Sequence, residues 1–174
     1  MLTRLGTKIL VQDRVFCVSK EYLALSSEFF SVLFYSSFKE STDDIVTIEE
    51  DVDSFELLMR AVYSRRFAPE NVQEALELYS RVDFYQIGHL KPRIREFLEC
   101  TVQILTNEEK YSIASTAELF RDKFILAIVA LSIKSSEEFN SMVRKLRRTL
   151  SREYFYMITE MHLLLTKVRK GHIL

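Results

Sequence analysis

The sequence predicts an α+β domain, mostly helical, followed by an all-α tail. Three observations carry this expectation. Apolar residues recur at helical spacing through most of the 174 residues. Runs of strand formers end at Ile48. Only three Gly and two Pro occur, too few for the many turns of a sandwich or barrel, or for a Gly-rich phosphate-binding loop.

Taken in order, residues 9–18 read ILVQDRVFCV. Two runs of strand formers flank Gln12-Asp13-Arg14, which predicts a hairpin with Phe16 and Val18 on one side. From Lys20 the pattern turns helical, with Tyr22, Leu23 and Leu25, then Phe29, Phe30, Val32, Leu33 and Phe34. Ser26 and Ser27 lie between and supply a cap for the second of two short helices. The segment YSSFKESTDD is polar apart from Tyr35 and Phe38 and reads as a loop, after which Ile45, Val46 and Ile48 form a short strand.

Asp53-Ser54-Phe55-Glu56 has the form of a capping box and opens a helix with Phe55, Leu58, Met59 and Val62 on one face. A linker, SRRFAP, follows. Asn71-Val72-Gln73-Glu74 starts the next helix, with Val72, Ala75, Leu76, Tyr79 and Val82 on one side. Pro92 sits near the start of a third, where its missing N–H does little harm; that helix carries Ile94, Phe97 and Leu98 toward Leu105. Beyond Thr106 no strand signal remains. Thr106-Asn107-Glu108-Glu109 and Ser135-Ser136-Glu137-Glu138 open further helices. Their stripes are Tyr111 and Ala114; Phe124, Ile128 and Leu131; Phe139, Met142 and Leu146; and Phe155, Ile158 and Leu165. The predicted division is residues 1–105 and 106–174.

A net charge of −1 provides no global attraction to nucleic acid or anionic membrane, and neither is expected as a partner. Cys17 and Cys100 stand far apart and read as reduced thiols, Cys17 inert on its strand. The N-terminal apolar run is too short for a signal peptide or membrane span, and Phe124 to Ile133 suits a buried helix. Cytoplasm or nucleus is the expected location.

No nucleophile, base and metal set converges, so no catalysis, metal or cofactor is expected. His89, His162 and His172 lack ligand spacing and are assigned surface or edge roles. Asp43, Asp44, Glu49, Glu50, Asp51 and Asp53 read as a solvated acidic face, and Arg144-Lys145-Leu146-Arg147-Arg148 as a solvated helix face. Binding remains. Phe38, in a polar loop beside Glu40, either folds back onto the core, which composition alone favours, or is presented to a partner.

One longer pattern runs through the chain: Phe16-x-Val18-x-Lys20-x-x-Leu23-Ala24-x-x-Ser27-x-x-Phe30-x-x-Leu33-Phe34, Phe38-Lys39-Glu40-Ser41, Val46-x-Ile48 and Phe55-x-x-Leu58-x-x-x-Val62-Tyr63. It resembles the BTB/POZ domain, most nearly the MATH-BTB (speckle-type POZ) adaptors, with a 3-box or BACK-like helical tail and no MATH domain. The resemblance implies a helical cluster capped by a small three-stranded sheet. It also implies a protein-interaction module, a substrate adaptor for a cullin-3 ubiquitin ligase with an unknown protein substrate. Many members carry a hydrophobic-x-Glu motif in the loop after the second helix, where Phe38-Lys39-Glu40 stands, so the resemblance favours a presented Phe38 and assigns cullin binding to Phe38 and Glu40. Family members dimerise through the N-terminal segment and first helix. Leu2, Leu5 and Tyr22 are the candidate contacts with a homo- or heterodimer partner, packing within the chain being the open alternative. A dimerisation or scaffold module without ligase function is the alternative reading.

Overall fold

Alternation of apolar residues builds the sheet. Strands β1 (Thr7–Val11) and β2 (Arg14–Val18) pair antiparallel, Thr7 opposite Val18 and Val11 opposite Arg14. Between them Gln12 takes a left-handed φ of 51°. Ile9, Val11 and Val18 are buried while Val15 and Cys17 face out, the alternation expected of a one-sided sheet. Strand β3 (Ile45–Ile48) joins the other edge of β1 in parallel, Lys8 opposite Ile45, giving the order β2-β1-β3. The computed structural model describes residues 7–36 and 45–169. The chain divides into two compact units, Met1–Ile94 and Arg95–Leu174.

In the first unit, α1 (Lys20–Ser26) and α2 (Glu28–Tyr35) follow the hairpin, and α3 (Val52–Tyr63) and α4 (Val72–Phe84) follow β3. Of the two candidates Ser26 and Ser27, Ser27 caps α2: its Oγ accepts from Phe30 N–H at 3.0 Å. The same hydroxyl donates to the Tyr85 carbonyl at 2.5 Å, tying α2 to the chain just past α4. The core around this tie is aromatic. Phe30 and Tyr85 stack with parallel rings 5.3 Å apart, and Phe29, Phe34 and Phe55 pack about them.

The cap of α3 corrects the expected one. Asp51, not Asp53, accepts from Ser54 N–H at 3.0 Å, and that hydrogen bond holds the Asp51 carboxyl below its ordinary value. Glu56, expected to complete a box, instead pairs with Arg14. Asn71 caps α4 as predicted, accepting from Glu74 N–H at 2.9 Å.

Helix α5 (Lys91–Thr101) has Pro92 in its first turn. In the second unit follow α6 (Asn107–Leu119), α7 (Lys123–Ser132), α8 (Ser136–Thr149) and α9 (Arg152–Arg169). Thr106 and Glu109 form the complete predicted capping box of α6, and Ser135 caps α8. The tail stripes hold for α8, where Phe139, Met142 and Leu146 are buried. They fail for α7: Ile125, Leu126, Ile128, Val129 and Ala130 are buried, whereas Phe124 and Leu131 are exposed. A helix apolar on nearly every side has no periodicity from which to choose its inner face.

Helices α4 and α6 end alike. Ile87 N–H donates to Val82 O and Gln86 N–H to Asp83 O. Asp122 N–H likewise donates to Ala117 O and Arg121 N–H to Glu118 O. Both are Schellman motifs. Gln86 and Arg121 hold the left-handed position, at φ 54° and 52°, where glycine is usual.

Candidate functional site

The predicted docking residues Phe38 and Glu40 lie outside the described residues, as do Leu2 and Leu5. The segment's two flanks are described. On the N-terminal side, α2 is held by buried Phe30 and Phe34 and closes with Ser36 N–H donating to Val32 O at 3.0 Å. On the C-terminal side, Val46 is buried and its strand is hydrogen-bonded to β1. Each flank also carries an apolar side chain facing water, Tyr35 at 58% exposure and Ile45 at 45%. Lys20 Nζ lies 5.0 Å from the Tyr35 ring centroid.

Tyr22 occupies an intermediate position. Its ring is 42% exposed and stacks on Tyr63, with centroids 5.2 Å apart. Its hydroxyl donates to Val62 O at 3.1 Å, and Tyr63 Oη accepts from Ser19 N–H at 3.0 Å. One face of Tyr22 is therefore committed within the chain, and part of the ring remains accessible.

Two expectations about polar residues change, and a third polar residue, Lys110, is found in the core. Glu50 does more than face solvent: it pairs with Arg81 at 3.2 Å and accepts from Tyr85 Oη at 3.4 Å. Burial, reinforced by the Glu50 charge, pushes the Tyr85 phenol well above its ordinary range. His162 is no surface residue; only 2% of it is exposed. Tyr154, Ile158 and His162, at i, i+4 and i+8 on α9, form a buried stripe, a spacing that the sequence carries. Lys110 is buried too, paired with Glu138 and donating to Ser132 O at 3.5 Å. Cys17 and Cys100 are free and exposed, and no metal-holding group of His, Cys, Asp and Glu occurs among the described residues. None of the described helices is long and apolar enough to cross a membrane.

Residues 5–101 match the family model of the BTB/POZ domain. The chain belongs to the BTB/POZ family. The match takes in the sheet, α1 to α4 and the 37–44 segment between its anchored flanks. This BTB/POZ chain is 28% identical to Kelch-like protein 25 of Homo sapiens over 142 residues, 75% of the chain and 23% of the relative. The proteins of that name in Rattus norvegicus and Mus musculus are each 28% identical over 141 residues, 76% of this chain and 23% of theirs. The chain thus spans about a quarter of the length of the relatives it matches. These relatives are Kelch-like, so the expected placement among the MATH-BTB, speckle-type POZ adaptors is not supported. The BTB/POZ fold class holds: a mostly helical chain with one small three-stranded sheet and a helical tail.

Proposed function

We propose that this BTB/POZ chain is a protein-interaction module that serves as the adaptor arm of a cullin-3 ubiquitin ligase, docking cullin through Phe38, Glu40 and the neighbouring helices. The observation that carries the reading is the family match across the 37–44 segment, with Phe38-Lys39-Glu40 at the position of the family's hydrophobic-x-Glu motif. An aromatic anchor at an interface centre contributes ~2 kcal/mol or more. An adjacent carboxylate accepts hydrogen bonds and fixes register. Residues 1–105 are then the BTB/POZ domain and 106–174 a 3-box or BACK-like extension that enlarges the contact. Ubiquitin transfer is the work of other subunits, so the chain acts as no enzyme. Its substrate is another protein, met in the cytoplasm or nucleus.

Retention of the full chain on immobilised cullin-3 N-terminal domain tests the reading. The Phe38→Ala/Glu40→Ala double variant is expected to lose at least about ten-fold in affinity. Retention equal to wild type overturns the docking assignment.

A second reading rests on the accessible part of the Tyr22 ring. In this reading the module dimerises through Leu2, Leu5 and Tyr22 and acts as a scaffold without a ligase. Sedimentation velocity discriminates: a monomer at high micromolar concentration removes it.

A further inference from the structure

The tail carries a recess that neither reading uses. At the corner between α8 and α9, a cavity of about 500 Å³ is lined by Arg147, Leu150, Arg152, Phe155 and Tyr156. Leu150 is buried, Phe155 is half-buried and Tyr156 is 52% exposed, so the floor is apolar and wettable at one edge. Arg152 holds its guanidinium 5.5 Å from the Tyr156 ring centroid.

The charged residues that line this recess are both basic, Arg147 and Arg152. Lys145 is paired with Glu108 of α6. Among the described residues, Arg144, Arg147, Arg148 and Arg152 have no carboxylate at ion-pair distance. Glu118 accepts from Ser151 N–H with both carboxylate oxygens at 3.1 Å and keeps its charge. Glu153 is the one carboxylate within residues 144–156. Arg147 and Arg148 sit in the last turn of α8, where cations offset the helix dipole. Arg152 sits in the first turn of α9, where the dipole disfavours a cation. Helix electrostatics therefore does not account for Arg152, whose one ring contact among the described residues is with Tyr156.

We propose that this recess docks an acidic linear peptide that carries a bulky apolar side chain. The apolar residue fills the floor over Leu150 and Phe155 and packs on Tyr156. Flanking carboxylates pair with Arg147 and Arg152, whose planar guanidinium forks suit bidentate contact. Shape favours a peptide over nucleic acid: the recess accommodates one or two side chains. The site is independent of Phe38 and Glu40.

Fluorescence anisotropy of the full chain with fluorescein-labelled Glu-Asp-Glu-Leu-Phe-Glu-Asp-Glu tests the proposal. Saturable binding is expected, weakened by added salt as ion pairs require. Arg147→Glu/Arg152→Glu is expected to weaken it by about ten-fold or more, and Tyr156→Ala by about three-fold. Far-UV circular dichroism confirms that these exposed substitutions leave the helices formed. Should the double variant misfold, Arg152→Gln alone must still weaken binding. Equal binding of wild type and folded variants overturns the site. So does equal binding of a control with Gly-Ser in place of Leu-Phe, or tighter binding of a labelled oligothymidylate.

Discussion

His162 lies flat against Phe139, their ring centroids 4.4 Å apart and their planes 9° from parallel. Its Nδ1 is buried without a hydrogen-bond partner, and its Nε2 stands 3.5 Å from Thr166 Oγ1. Burial and the Arg169 charge hold the imidazole below its ordinary pKa of 6.5, against a smaller opposing pull from Glu138. The unfolded chain thus binds the proton more readily than the folded one. Stability is full above pH 6.5 and declines as pH falls from there toward the lowered folded value. Thermal melts between pH 7.5 and 5.5 should show a falling Tm, and His162→Phe, which keeps the stack but cannot titrate, should flatten that slope.

The pair Lys110–Glu138, buried on the lysine side, should behave asymmetrically. Glu138→Ala leaves the buried Lys110 ammonium without its carboxylate and is expected to cost about 3 kcal/mol, read by urea denaturation. Replacing both groups, as Lys110→Met with Glu138→Gln, should cost distinctly less, ~1 kcal/mol, because no unpaired charge remains.

Tyr85 separates packing from polarity. Its ring touches Phe29, Phe30, Phe55 and Phe84, so Tyr85→Ala should cost about 4 kcal/mol. Its hydroxyl makes one long bond to Glu50, which keeps Arg81, so Tyr85→Phe should cost under about 1 kcal/mol. Equal losses in denaturant midpoint would contradict this division.

Ser27 performs two tasks with one atom. Ser27→Ala removes the α2 cap and the donor to Tyr85 O together, and is expected to cost about 2 kcal/mol at equilibrium.

The left-handed helix exits offer a stabilising change. Gln86 is exposed, and Gln86→Gly removes the penalty of a side chain at positive φ. A gain of about 0.5–1 kcal/mol in unfolding free energy is expected.

What could be read from the sequence follows from where local chemistry decides. Ser27, Asn71, Thr106 and Ser135 were recognisable as caps because a short polar side chain before an apolar stripe has few other uses. Asp53 misled because four acids crowd the α3 start, and only the strand's end at Ile48 decides which one meets the free N–H groups. Phe124 misled because FILAIVAL offers no polar side. The spacing of His162 marks a buried face, but its partner and that of Lys110 could not be read, because each lies distant in sequence, at Phe139 and Glu138. The corner recess at Arg152 was hidden likewise, since a basic run looks the same whether it lines a cavity or open water.

The parallel pairing of β1 with β3 joins Lys8 to Ile45 across two intervening helices. During synthesis the hairpin can close as soon as it leaves the ribosome, but its outer rim stays bare until α1, α2 and the stretch beyond them have emerged. For that interval β1 offers a ready template to any neighbouring nascent chain. Polysome density and chaperone supply should therefore bear on the yield of this protein.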